Sequence, residues 1–281
     1  MKKIIVPTDF SETAGRAQNF AIQSAKLFNS KITLLHSFEI EKFYSSDYIG
    51  YNKDFVIQMV TDIEKSLDRL RRQSLKEEQI EVQTYLSSYN LTNAINKLAE
   101  EKNSDMVVMG TLGESGLKEK LWGSRTSEVI GKTSTPVMVI PHEYEWKKPS
   151  KILFLTNRFE RNDDILNYIF ETSNLYMASV EVGVFTDIDD VKAEKLLENE
   201  QDINEYADYI KNEHYEKTIK AVHLKGEDFE DTLQKYVKEN DIDMLVMVTY
   251  QGGFWKRLFN PSKTKHLSFH TDIPLLAIPF K

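Results

Sequence analysis

Apolar and polar positions follow two periods along this chain, and they alternate. Lys3–Pro7 is a short apolar run. Ser11–Phe28 carries apolar residues at helical spacing behind Ser11, a serine placed to cap it. A second strand is predicted over Lys31–Phe38. Residues 39–53 are aperiodic and aromatic (Phe43, Tyr44, Tyr48, Tyr51), open to reading as a lid, an interface or a plain connection. Phe55–Leu75 regains helical spacing through Val56, Val60, Ile63, Leu67 and Leu70. A strand at Ile80–Leu86, a helix at Leu91–Glu101, a strand at Asp105–Gly110, a helix at Ser124–Lys132 and a strand at Pro136–Pro141 complete the run. Strands alternating with helices across short loops predict a doubly wound parallel sheet with right-handed crossovers, an α/β fold.

After the polar, aromatic stretch 143–150 the pattern restarts. Lys151–Asn157 parallels Lys3–Asp9, Asp243–Val248 parallels Asp105–Gly110, and Ile273–Pro279 parallels Thr135–Pro141. Three matches in register imply an internal duplication. The expected domains are 1–146 and 147–281, two tandem Rossmann-like or flavodoxin-like units.

The candidate chemistry lies where the strand at Asp105–Gly110 meets the helix at Ser124. Gly110, Gly113, Gly123 and Ser124 stand in the spacing G-x2-G-x9-G-S. Glycines let a ligand approach the backbone closely, and a helix N-terminus offers unpaired N–H groups with the positive end of its dipole, so such a loop suits phosphate. Neither the Walker spacing nor the dinucleotide fingerprint occurs. Plain turn formation is the competing reading. The duplicate sharpens the choice: Val248, Gln251 and Pro261-Ser262 replace the glycines, and Asn157 replaces Asp9. A purely structural need would have kept the glycines twice. Gly252-Gly253 is a weaker candidate for a shifted loop. Asp9, at a strand C-terminus and lost from the duplicate, suits a ribose hydroxyl in preference to the simpler role of capping or an Asx-turn before the helix.

The spacing resembles the ATP-binding signature of the universal stress protein family, and Ile4-Ile-Val-Pro-Thr-Asp-Phe-Ser-Glu12 resembles that family's first strand and acidic turn. The resemblance covers residues 2–141 and, as a degraded copy, the remainder. It implies an ATP (or ADP or AMP) site in which Pro7, Thr8 and Asp9 border the adenosine and Ser37 meets adenine through its backbone. Met109, Gly110, Leu112 and Gly113 would flank ribose and the first phosphates, with Gly123, Ser124, Arg125 and Thr126 at the outer ones. Leu112 stands where members often carry histidine. Mg²⁺ or Mn²⁺ would bridge the phosphates rather than occupy a protein-built metal site. The resemblance further implies a stress-response sensor read by an unidentified protein partner, with the last strands pairing the halves as an internal pseudo-dimer and a homodimer of chains compatible with it. The rivals are a slow ATPase or phosphotransferase, for which Glu114 is the nearest base, and a nucleotide-independent scaffold. No catalytic residue is assigned.

Composition narrows the alternatives. The 281 residues hold no cysteine, which excludes disulfides and thiolate metal sites and fits a cytoplasmic protein. No apolar run approaches membrane-spanning length, and a net charge of −8 argues against a nucleic-acid surface. Residues 1–146 carry net −2 and the rest net −6, making the second half the poorer polyphosphate host. Lys118 and Lys120 could close over phosphates or simply solvate the loop. Ser124 and Thr126 are read as helix caps and Arg125 as an outward arginine or a phosphate partner. His266 and His270, four apart, read as exposed helix histidines in the absence of a third ligand.

Overall fold

A computed structural model describes residues 1–39, 53–111, 124–159, 161–189, 193–213, 219–249 and 271–280. The described residues form two compact units, one running up to Trp146 and the other starting at Lys147.

In the first unit, strands β1 (Lys3–Pro7), β2 (Lys31–Ser37), β3 (Val82–Ser87), β4 (Met106–Gly110) and β5 (Val137–Ile140) lie in the order β3-β2-β1-β4-β5. Every pairing is parallel. Helices α1 (Glu12–Phe28), α2 (Lys53–Glu78), α3 (Leu91–Lys102) and α4 (Ser124–Lys132) cover both faces. Gln18 of α1 donates to Ser74 of α2 at 3.2 Å, and Asn96 of α3 donates to the Lys132 carbonyl at the end of α4 at 3.2 Å, which pairs the helices two to a face. Strands covered on both sides need no polar alternation, and Ile4, Ile5, Val6, Met106, Val107 and Val108 are all buried. The order is the Rossmann one.

The second unit repeats the plan with β6 (Lys151–Leu155), β7 (Ser179–Asp187), β8 (Lys220–Gly226), β9 (Met244–Thr249) and β10 (Leu275–Pro279), in the order β8-β7-β6-β9-β10. Its helices are α5 (Asp163–Tyr176), α6 (Ala193–Glu213) and α7 (Phe229–Glu239). Strand bounds differ from the sequence reading by one or two residues at most ends, and α2 is longer at both ends, where charged residues carry no periodicity to read.

Local chemistry explains the helix ends. Ser11, Asn90, Asn162 and Asp228 each accept the amide three residues on, at Ala14, Asn93, Ile165 and Asp231. Asn29, Asn103 and Met177 close α1, α3 and α5 in the left-handed conformation. One side chain is used twice for the same purpose. Asp105, just before β4, accepts from the amides of Lys2 and Lys3 at 2.6 and 2.9 Å, clamping the start of β1. Asp243, just before β9, accepts from the amides of Ser150 and Lys151 at 2.8 and 3.1 Å, clamping the start of β6.

Candidate functional site

Strand order turns around between β1 and β4, because β2 and β3 lie to one side of β1 and β5 lies beyond β4. Open α/β sheets receive ligands beyond the strand C-termini at such a point. The residues singled out from sequence converge on this edge. Pro7 ends β1, Thr8 and Asp9 follow it, Met109 and Gly110 end β4, and Ser124, Arg125 and Thr126 open α4; Ser37 ends the neighbouring β2. Leu112, Gly113 and Gly123 lie outside the described residues, as do Glu114, Lys118, Lys120, the aromatic stretch 40–52, Gly252-Gly253, His266 and His270.

The turn after β1 is built by its own side chains. The Thr8 hydroxyl accepts from the Phe10 amide at 3.0 Å, and Asp9 Oδ1 accepts from the Ser11 amide at 3.1 Å, an Asx-turn leading into the Ser11 cap. Phe10 sits at φ 66°, a costly conformation for a residue with a β carbon. His36 supports it from β2: its ring stacks on Phe10 at 4.8 Å, and its Nδ1–H donates to the Thr8 carbonyl at 2.8 Å. An acceptor-only carbonyl fixes that proton on Nδ1. The second unit makes a related turn, with Thr156 accepting from Arg158 and Phe159 at 3.3 Å and Phe159 at φ 50°. The threonine therefore serves the turn in both units. What distinguishes the first turn is the carboxylate of Asp9, for Asn157 stands in its place.

Gly110 is packed closely by α1 and hydrogen-bonded by α4. A β carbon there would overlap the Cγ2 methyl of Thr13 in α1, with the Thr13 carbonyl oxygen 3.1 Å away. Thr126, buried in α4, places its hydroxyl 3.0 Å from the Gly110 carbonyl and 3.2 Å from that of Thr111, donating to this strand end. This corrects the reading of Thr126 as a cap. Ser124 and Thr126 both belong to the helix, and Thr126 bonds backward to β4 rather than to an α4 amide. A hydroxyl already donating to a carbonyl has no second hydrogen for a phosphate oxygen. Ser124 and Arg125, by contrast, are exposed at the helix start. Ser37 donates its hydroxyl to the Tyr89 carbonyl at 2.8 Å.

The register puts Val248 in the place of Gly110, since Met106 pairs with Ile4 and Met244 with Ile152. The connection into the following helix also differs: three residues lie between Pro7 and the Ser11 cap, and six between Leu155 and the Asn162 cap. Retention of glycine in one half only is therefore a weaker pointer to a ligand than the sequence comparison alone implies.

Among the described residues no group of three or more histidine, cysteine, aspartate or glutamate side chains could hold a metal ion, and no helix is long and apolar enough to cross a membrane.

A sequence profile of the universal stress protein family matches residues 1–141, half of the chain. The chain belongs to the universal stress protein family. A universal stress protein of Methanocaldococcus jannaschii is 29% identical over 154 residues, spanning 53% of this chain and 84% of its own. A second from the same organism is 30% identical over 157 residues, spanning 50% and 94%. A universal stress protein from Archaeoglobus fulgidus superposes on 99% of this chain and 98% of its own, with a TM-score of 0.73 and 15% identity, a likeness of fold. In this member of the family, two residues of the site escaped sequence reading. His36 and Thr13 act through partners 28 and 97 positions away, Thr8 and Gly110, and no local spacing announces either contact.

Proposed function

We propose that the first unit binds one adenine nucleotide (ATP, or ADP or AMP) and that the chain acts as a cytoplasmic stress-response regulator through its nucleotide-bound state. One observation carries the reading: the Asp9 turn, the glycine-ended β4 and the exposed start of α4 all border the β1/β4 switch point. Asp9 offers a carboxylate to ribose hydroxyls. The Ser124 and Arg125 end of α4 offers amide donors, a dipole and a guanidinium to the outer phosphates. The glycine spacing that resembles the family's signature supports adenine as the base. A divalent ion would enter with the nucleotide, since the phosphates themselves can supply its oxygen ligands.

The second unit, with Val248 and Asn157 at the matching places and the more acidic composition, is proposed to carry no nucleotide. Calorimetric titration with ATP tests both statements at once, with saturation at one nucleotide per chain the expected result. Two equivalent sites would overturn the assignment of the second unit, and no heat of binding would overturn the first. Mass spectrometry of the released ligand then separates a binding protein, which returns ATP intact, from an enzyme. Sustained phosphate release on the order of once per second, abolished by Glu114→Gln, would replace the regulator by an ATPase.

A further inference from the structure

Beyond β5 the chain makes a turn, in which the Tyr144 amide donates to the Pro141 carbonyl at 3.2 Å, and residues 142–146 then pass along α1. Thr13 Oγ1 meets His142 Nδ1 at 2.5 Å, Arg16 donates to the Tyr144 carbonyl at 3.3 Å, and the ring of Phe20 packs edge-on against Trp146 at 5.0 Å. Positions 13, 16 and 20 share one helix face, and the turn brings His142, the Tyr144 carbonyl and Trp146 to it in succession. The segment therefore fixes both the rotation and the height of α1.

Thr13 is where this registry reaches the candidate site. Its hydroxyl is held by His142 and its methyl is pressed on Gly110, so the χ1 angle that satisfies one contact sets the other. Gly110 in turn offers its carbonyl to Thr126 of α4 and pairs with Ile140, two residues before His142. The ends of β4 and β5 and the first turns of α1 and α4 are thus joined through one threonine. The imidazole itself is exposed and aligned on Thr13.

We propose that His142 is a positioning residue for the nucleotide site: through Thr13 it sets the end of β4, where the Gly110 carbonyl receives Thr126 of α4. The inference rests on the nucleotide reading above. It assigns His142 no contact with the ligand. The consequence falls on the phosphate end, which the start of α4 is proposed to hold, and spares the adenosine end at the Asp9 turn.

The experiment uses the full chain and three variants. His142→Leu removes the hydrogen bond, His142→Asn restores a polar atom where Nδ1 stood, and Thr13→Val keeps the methyl that touches Gly110 while deleting the hydroxyl. A hydrogen bond of ordinary net worth predicts about a three- to tenfold loss of ATP affinity in His142→Leu and Thr13→Val, with adenosine affinity changed by less than about twofold. His142→Asn should stay within about twofold of the parent for both ligands. The double variant Thr13→Val/His142→Leu should be no weaker than either single one, because both remove the same bond. Without any ligand, the Gly110 and Thr111 amide resonances should move in His142→Leu and hold in His142→Asn. Equal loss for ATP and adenosine, failure of asparagine to rescue, or unmoved resonances would each overturn the role. If the parent protein binds no ATP, the nucleotide reading falls, while the resonance shifts still decide whether His142 positions the strand end.

Discussion

The Cγ2 methyl of Thr13 occupies the space that a β carbon on Gly110 would need, and the backbone oxygen of Thr13 lies 3.1 Å from that same point. The glycine is thus required by close packing of α1 on the end of β4. Gly110→Ala should cost about 1–3 kcal/mol of stability, the usual range for overpacking, measured by urea unfolding of the ligand-free chain. Adding Thr13→Ser removes the methyl and should return part of that loss, with the nearby backbone oxygen preventing full recovery. A stable Gly110→Ala variant that merely fails to bind ATP would show that the glycine serves the ligand instead.

The strand and helix order was legible in the sequence because parallel strands buried on both faces leave continuous apolar runs, as at Ile4–Val6 and Met106–Val108, and because Ser11 marks its helix start by type and position. The turn at Asp9 was equally legible as a local object. Gly110 could be recognised as a special position, but not the reason for it, since the clash partner belongs to a helix 97 residues upstream and depends on how α1 is set. Thr126 was misread for a related cause: a hydroxyl near a helix start looks like a cap until tertiary structure brings the end of β4 within reach.

Asp9 has two separable roles, and two substitutions separate them. Asp9→Asn keeps an acceptor for the Ser11 amide while deleting the charge, so it should weaken ATP by roughly 1.5–3 kcal/mol, as for hydrogen bonds to charged groups, with stability retained. Asp9→Ala should add a stability loss of about 0.5–2 kcal/mol through the lost turn and its effect on the cap. Calorimetry paired with thermal unfolding reads both. Unchanged affinity in Asp9→Asn would confine Asp9 to the turn, the role that Asn157 is equipped to play in the second unit.

Asp243 anchors the start of β6 as Asp105 anchors the start of β1. Burial alone would raise its carboxyl, but the ammonium of Lys147 at 2.6 Å and the hydroxyl and amide of Ser150 outweigh that and hold it below the ordinary carboxylate value. A depressed acid contributes stability that is present above the unfolded pKa of about 3.9 and lost as pH falls through the lower folded value. Asp243→Ala should cost about 1–3 kcal/mol by leaving the Ser150 and Lys151 amides without their acceptor, and should flatten the acid limb of the unfolding profile. A variant as acid-sensitive as the parent would place that limb elsewhere.

His223 in β8 predicts a further loss on the acid side that begins at higher pH, because it is a base held neutral. Its Nε2 lies 2.8 Å from the Thr186 hydroxyl, which also accepts from Asn199 at 2.7 Å, while Nδ1 is buried without a hydrogen-bond partner among the described residues. Burial lowers its pKa and the charge of Lys225 lowers it further. Glu200, 3.8 Å away and itself bonded to Lys225 at 2.7 Å, opposes this without prevailing. A base with a depressed folded pKa binds its proton more tightly when unfolded, so the contribution is full above the unfolded pKa of about 6.5 and declines as pH falls below it, until the folded value is passed. Urea unfolding followed from about pH 8 to about pH 5 should show that decline in the parent and a flatter profile in His223→Leu, which leaves Thr186 and Asn199 bonded to each other. Lys225→Gln should also flatten it, by removing a repelling charge and freeing Glu200 to attract the imidazolium. Parallel profiles for the parent and His223→Leu would show that this histidine does not couple protonation to the stability of the second unit.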